Sequence, residues 1–455
     1  MRSYIVTWAQ SATRVHKVFW ASLQSFVRHN QAELIVVGGR YRNPTSKAEA
    51  SRSGDEVWAD EVMPYLVRKR RVLAPSLRLY ADISIQPTAG RPLSGFEVFL
   101  GSMSGVFGHP KRAFEVVPTS TRQPRAMWTT GACTVRHYSD SKAGKKGSAH
   151  HVLGALVVEV DDDGIYFARH VTAAKDGSFT DLGDVYSPAG VSRAPRALSV
   201  TLGDIHVGME DDAVLEASEA LVRQARPKHL VLHDVLDFDA RSHHRARSRD
   251  RYGRRFDQVE YEVAAAMTAL NRFATWGADQ VDVVASNHHE HLRRWLDEHR
   301  SDQDPVNTPY WHRLWAACYE AYAKTGEWPD EFALEAQRLG CDKRIKFLSR
   351  GSSLKLAGVE HGQHGDSGVN GSRGSIAGLS RLGCKLTIGH SHTPGIRDGV
   401  FQVGVSGRLD MGYNSLPSTW LHAHVVLHAD GKRQLVVITK GRFKGARLSA
   451  VRRAA

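Results

Sequence analysis

Five short apolar runs in this chain of 455 residues each stop at a cluster of Asp, Asn or His. They read GDIHVG (Asp204, His206), HDVLDF (Asp234, Asp237), SNHHEH (Asn287, His288), VEHGQHG (His361, His364) and GHSH (His390, His392). An unbroken apolar run is the pattern of a strand buried on both faces. Polar residues gathered at the ends of such strands are where α/β proteins place their sites. Taken singly, each cluster has an ordinary reading. GD is a common turn, a His after a strand is more often a hydrogen-bonded loop residue, and NHHEH suits a helix N-terminus with solvated histidines. Five in one chain, all at strand ends and all of residue types that bind borderline divalent metals, point to a metal site.

The chain alternates around these runs. YIVTWA and AELIVVGG predict strands on either side of a helix over VFWASLQSFVRHN, where Val18, Phe19, Leu23, Phe26 and Val27 recur at helical spacing. Residues 56–68 suggest a second helix. From Leu77 the pattern turns to strands: LRLYADISI, FEVFLG, ACTVRHYS, HVLGALVVEV and GIYFARHV, with SDSKAGKKGSAHH as a polar, glycine-rich loop among them. The Pro/Gly/Arg stretch SPAGVSRAPRA, residues 187–197, predicts a linker. The expected class is α/β. An N-terminal α/β or α+β accessory domain spans 1–195. A second domain spans 196–440, with basic or helical insertions over 240–280 and 290–345, and a basic tail covers 441–455.

Composition narrows the function classes. Hydrophobic residues make up 42% and charged residues 24%, and no apolar run approaches the ~20 residues of a membrane span. No apolar stretch with a cleavage site follows the start, so the expectation is a cytoplasmic protein without membrane partners. The four cysteines, without CxxC spacing, read as buried thiols of a reducing compartment. The formal net charge of +13 favours a polyanionic partner, nucleic acid first.

Together the five clusters resemble the calcineurin-like metallophosphoesterases, whose pattern is DxH, GDxxD, GNH(D/E), a His, and GHxH. The match runs through Asp204-x-His206, Asp234-x-x-Asp237, Asn287-His288, His361 and Gly389-His390-x-His392, within residues 198–430. The two-part layout also resembles phage-encoded members, among them a pre-early DNA-degradation nuclease group; a phage protein of that kind would work in the host cytoplasm. The resemblance implies a four-layer αββα sandwich and two divalent cations, with Mn preferred and Mg, Fe, Ni or Zn as alternatives. Asp204, His206 and His392 would hold one ion, Asn287, His361 and His390 the other, and Asp234 would bridge them. Such a pair clamps a phosphate and activates a water for in-line attack. His288 would act at the leaving oxygen. Three positions depart from the pattern: His233 and Ser286 stand where Gly is usual, and His289 replaces the acid that orients the catalytic His, which leaves that task to Glu290 or another carboxylate. For His364, His243, His244 and His289 the expectation is a surface or supporting role.

Between the second and third clusters lies ARSHHRARSRDRYGRRFDQ. Its arginines 241, 245, 247, 249, 251, 254 and 255 outnumber the acids Asp250 and Asp257. Guanidinium forks track a phosphate backbone, and Tyr252 could stack on a base. Arg241, Arg245, Arg247, Arg249, Arg251, Tyr252, Arg254 and Arg255 are therefore the candidate DNA contacts; a solvated helix face is the plain alternative. The sequence reads as a two-metal phosphodiesterase, a DNA nuclease first. The alternatives are a small-substrate or protein phosphoesterase and, from another class, a nucleic-acid-binding host-takeover protein with a structural metal site. The sequence is compatible with a homo-oligomer and does not fix the oligomeric state.

Overall fold

The structure, a computed structural model, describes residues 1–41, 57–120, 124–242, 254–412, 414 and 417–445. The apolar runs that carry the first three clusters lie side by side in a six-stranded sheet. Its order is Ile345–Leu348, Gln280–Val284, His229–Leu232, Ser199–Thr201, Ala423–Leu427, Arg433–Val437. The first four strands are parallel and the last two antiparallel. Parallel strands need crossovers, and helices supply them. The helix Asp212–Ala225 starts where Asp211 accepts a hydrogen bond from the Val214 N–H, 3.2 Å. Its Leu215, Leu221 and Val222 share one core with Val263, Met267, Leu270 and Phe273 of the helix Val259–Ala274.

A ten-stranded sheet lies beside the first. Its order is Lys355–Leu356, Val359–Glu360, Lys385–Ile388, Val400–Gln402, Gly395–Arg397, Phe114–Val117, Arg125–Thr129, Ser104–Phe107, Leu77–Leu79, Arg71–Ala74. The joint between its halves is the pairing of Ile396 with Phe114. One apolar cluster, holding Tyr4, Val6, Trp8, Trp128 and Leu156 together with Ile396, Phe401, Val425 and Leu435, extends across it. The expected boundary at 195/196 is therefore not a break in the core, and the stretch expected as a linker carries a strand, Gly190–Arg193, paired with Asp184–Ser187. A five-stranded sheet, with Arg2–Gln10 and Glu33–Gly39 in parallel, packs Phe19, Leu23 and Phe26 of the helix Lys17–Asn30 against Phe179 and Tyr186. The molecule is thus mixed α/β, with several sheets and eight α-helices among the described residues.

Several local expectations need correction. SDSKAGKKGSAHH is no loop: Lys142–His150 is a helix, capped by Ser141 accepting from the Gly144 N–H at 3.1 Å. FEVFLG is no strand, because Phe96–Phe99 forms a 3-10 turn after Gly95 at φ 85°. Of the expected helix over 56–68, the described part has only a 3-10 turn at Met63–Tyr65 before the short strand Leu66–Val67. ACTVRHYS makes isolated bridges only, at Ala132 and Thr134. Cys133 and Cys318 are buried as expected, but Cys384 is exposed. No helix among the described residues is long and apolar enough to cross a membrane.

Candidate metal centre

The two large sheets bring their strand ends together. Ser199–Thr201 leads to Asp204 and His206, His229–Leu232 to Asp234, and Gln280–Val284 to Asn287 and His288; from the ten-stranded sheet, Lys385–Ile388 leads to His390 and His392. Backbone hydrogen bonds stitch these loops: Ile205 N–H to His233 O at 3.1 Å, His206 N–H to Asp234 O at 2.8 Å, and Gly389 N–H to His364 O at 2.7 Å. The His390 N–H donates to Asp204 Oδ2 at 2.8 Å. Gly389 is required here by close approach, since a Cβ would stand 2.2 Å from Asp204 Oδ1. His206 (φ 54°), Asp234 (45°), His390 (78°) and His392 (58°) all hold left-handed backbone. That conformation is uncommon without glycine and costs energy, which surrounding structure must offset.

The side chains converge. One ligand atom from each of Asp204, His206, Asp234 and His392 lies within 4.8 Å of the others, and all four residues are buried. His206 Nε2 is 2.9 Å from His392 Nε2 and 3.8 Å from Asp234 Oδ2, and His392 Nε2 is 3.3 Å from Asp204 Oδ2. Asp204 Oδ1, Asp234 Oδ1 and Asn287 Oδ1 are buried without hydrogen-bond partners. Buried carboxylate oxygens left unpaired are costly, and a cation removes the cost. This Asp and His cluster could hold a metal ion, and the oxygen and imidazole donors suit a divalent one. Burial pushes the Asp234 carboxyl up, but the charges of His364, His288 and His206 outweigh it and hold it well below the usual carboxylate range.

The fourth cluster is placed differently from expectation. His364, not His361, meets Asp234: its Nε2 lies 3.1 Å from Asp234 Oδ2, and its ring is 5.3 Å from that of His390. His361 turns toward the sheet, with Nδ1 3.3 Å from Thr201 Oγ1. The chain geometry explains this. His361 is still in register beside the sheet, its N–H bonded to Leu354 O, while three residues later the His364 carbonyl is tied to the GHSH loop. Burial lowers the His364 pKa, yet Asp234 raises it further, to about 9.

Asp237 takes up the orienting task that the sequence left open. His288 Nδ1 lies 2.8 Å from the Asp237 carbonyl and 3.4 Å from its carboxylate, and the same carboxylate holds His206 Nδ1 at 2.7 Å. Glu290 instead pairs with Arg350. His289 is buried, its Nε2 accepting from the Val235 N–H at 3.2 Å, as a supporting residue should. His233 packs behind His364, Nδ1 to Nδ1 3.3 Å. Of the candidate DNA contacts, Arg245, Arg247, Arg249, Arg251 and Tyr252 lie outside the described residues, as do His243 and His244. Arg241 is a structural clamp, both arms on Asp304 at 2.7 and 2.8 Å, and Arg254 pairs with Asp239. Arg255 is exposed and lies over Phe256. Asp237 and His364 each lie in a cluster already singled out, three residues from the residue preferred there, so the sequence signal marked the cluster and not its member.

Fold and site thus define a mixed α/β protein with a buried aspartate–histidine centre able to hold a metal ion. No protein-family model matches the sequence, and no solved structure matches it. The chain is 34% identical to Protein A1 of Escherichia phage T5, over an alignment of 464 positions that covers 97% of this chain and 83% of that relative. It belongs to the family of that phage protein.

Proposed function

We propose that this protein is a metal-dependent phosphodiesterase that cleaves DNA, with two divalent cations, Mn by preference, at the aspartate–histidine centre. The observation that carries the reading is Asp234. Its Oδ2 lies 3.8 Å from His206 Nε2 and 3.1 Å from His364 Nε2, its Oδ1 is buried without a hydrogen-bond partner, and a carboxylate has two oxygens with which to serve two cations. Asp204, His206 and His392 would hold one ion, and Asn287, His364 and His390 the other. Bound there, the ions would supply Lewis-acid polarisation of a phosphate and a more acidic water. The protein's own part is to orient. Asp237 fixes the His288 ring through Nδ1, which would leave Nε2 as the proton donor to a leaving oxygen. Two large sheets with helices outside them are compatible with an αββα sandwich.

A second reading, hydrolysis of a small phosphodiester, is favoured by the engagement of Arg241 and Arg254 with Asp304 and Asp239, which leaves fewer guanidinium groups for a polymer. One experiment addresses both. Purified protein is incubated with linear, circular and single-stranded DNA and with bis(p-nitrophenyl) phosphate, in Mn, in Mg and in chelator. The expected result is metal-dependent cleavage of DNA that weakens with added salt, with a log–log slope of about −0.7 to −0.9 per phosphate contact. Hydrolysis of the small diester alone would favour the second reading. Full activity in excess chelator after stripping would overturn both.

A further inference from the structure

A cavity of about 480 Å³ lies one ring beyond His288, lined by His291 and by Asp239 and Ala240, which follow Asp237 in the chain. A row of rings leads to it. His392 and His206 are 4.8 Å apart between centroids, His206 and His288 4.7 Å, and His288 and His291 5.1 Å. His291 and Trp295 line the cavity, with Phe238 behind them 6.4 and 6.3 Å away. Trp295 is held in place by Tyr310, stacked at 6.0 Å, and is 8% exposed. Phe256, on the same cavity, is 64% exposed, with the Arg255 guanidinium 4.4 Å over its ring. Arg294 and Arg300 complete the wall, and both are exposed. Two of the cavity's carboxylates, Asp304 and Asp239, are already paired with Arg241 and Arg254. The described lining holds five arginines (241, 254, 255, 294 and 300) against three acids (Asp239, Glu298 and Asp304), and Arg300 also reaches Asp302 at 3.4 Å.

The volume is that of a small-ligand site, about 300–1,000 Å³. Its chemistry is specific in kind. An aromatic face accepts any base by stacking, and guanidinium groups grip phosphate. The cavity is joined to the centre through His288, whose ring is 5.1 Å from that of the lining residue His291. We infer that this cavity is a nucleotide subsite that receives the nucleoside on the leaving side of the scissile phosphate, its base on Phe256 over a floor of His291 and Trp295, and its next phosphate on Arg294 and Arg300. The inference rests on the phosphodiesterase reading and gives that site its substrate class, a polynucleotide chain in place of a simple ester.

The test is equilibrium binding of dAMP to the full-length protein in chelator, followed by calorimetry, so that no metal–phosphate contact contributes. The expected result is saturable binding, with deoxyribose 5-phosphate weaker by roughly tenfold or more, the usual scale of one stacked base. Phe256→Ala should lower dAMP affinity by about the same factor, and Phe256→Tyr should restore it. Arg294→Gln with Arg300→Gln should weaken both ligands and flatten the salt dependence. Equal binding of the two ligands, or dAMP binding unmoved by Phe256→Ala, overturns the subsite. Hydrolysis of bis(p-nitrophenyl) phosphate by the unaltered protein in Mn is read separately. Hydrolysis without dAMP binding overturns the subsite and spares the phosphodiesterase. Binding with the expected base dependence but no hydrolysis supports the subsite and overturns the catalytic role assigned to the centre.

Discussion

His288 and Asp234 lie within one cluster of rings but have opposite duties. On the proposed reading His288, which hangs on Asp237, would supply a proton, whereas Asp234 is an anion among imidazoles. His288→Ala is expected to lower the rate on the order of 10²–10⁴, the usual range for a general acid, and to keep Mn bound. Asp234→Asn should lose Mn. Calorimetric Mn titration of both variants checks this, and the reverse pattern would overturn the roles. The same titration separates the two candidates of the fourth cluster: His364→Ala should bind Mn much more weakly, and His361→Ala should not, since His361 faces Thr201. Most of the centre was legible because Asp, His and Asn at strand ends are visible in a linear pattern. The choice between His361 and His364 was not, since both follow the same strand and both precede a glycine or lead to one. What decides it is the bond from the Gly389 N–H to the His364 carbonyl, between residues 25 apart by number (389 − 364).

At the level of elements, long apolar runs and the amphipathic helices were readable, and short or glycine-bearing ones were not. The helix Lys142–His150 carries Gly144 and Gly147, each worth roughly 1 kcal/mol against a helix relative to Ala. Packing overrides that deficit. A Cβ at Gly144 would meet Ser139 O at 2.1 Å, and one at Gly147 would meet Thr88 and Tyr138 at 2.8 and 3.0 Å, so the glycines are where the helix comes closest to its neighbours. The GHSH loop has the same logic with a functional end. Gly389→Ala is expected to displace the Asp204 carboxylate and to weaken Mn binding at least tenfold (about 1.4 kcal/mol), with the far-ultraviolet circular dichroism unchanged. Gly383→Ala is the comparison: its φ is 70° and nothing lies within 4 Å of the added Cβ. It should cost about 1–2 kcal/mol of stability, the left-handed penalty, and leave Mn binding alone. Equal Mn affinity in both variants would show that Gly389 does not set the ligand geometry.

Across the whole molecule, burial of histidine sets the response to acid. Burial pushes His109, His170 and His424 down to about 3 and His151 to about 4. Unfolded, each would titrate near 6.5. The folded values are depressed, so the stability these groups contribute is present above about 6.5 and is lost as the pH falls toward 4 and 3, where only the unfolded chain takes up the protons. Each contributes up to about 1.4 kcal/mol per pH unit in that window. Glu262, whose carboxyl burial pushes up to about 7, works the other way across this window, and His364, which Asp234 raises to about 9, does so mainly above pH 6.5. The melting temperature should therefore fall steadily from pH 7 to pH 5 at fixed salt, before ordinary carboxylates protonate; a flat profile there would contradict the neutral, buried state of these histidines.

The joint of the ten-stranded sheet also sets a timetable for biosynthesis. Phe114 pairs with Ile396, so 282 residues (396 − 114) must follow Phe114 before its partner exists. At translation rates of about 5–20 residues per second, the strand Phe114–Val117 leaves the ribosome roughly 15–60 s ahead of that partner. Throughout that interval one side of the strand has unused N–H and C=O groups beside an unfinished apolar core, the situation that invites pairing with another nascent chain. Soluble yield should therefore rise when a holdase chaperone is co-expressed, and residues 1–195 produced alone should aggregate, having no later segment to wait for.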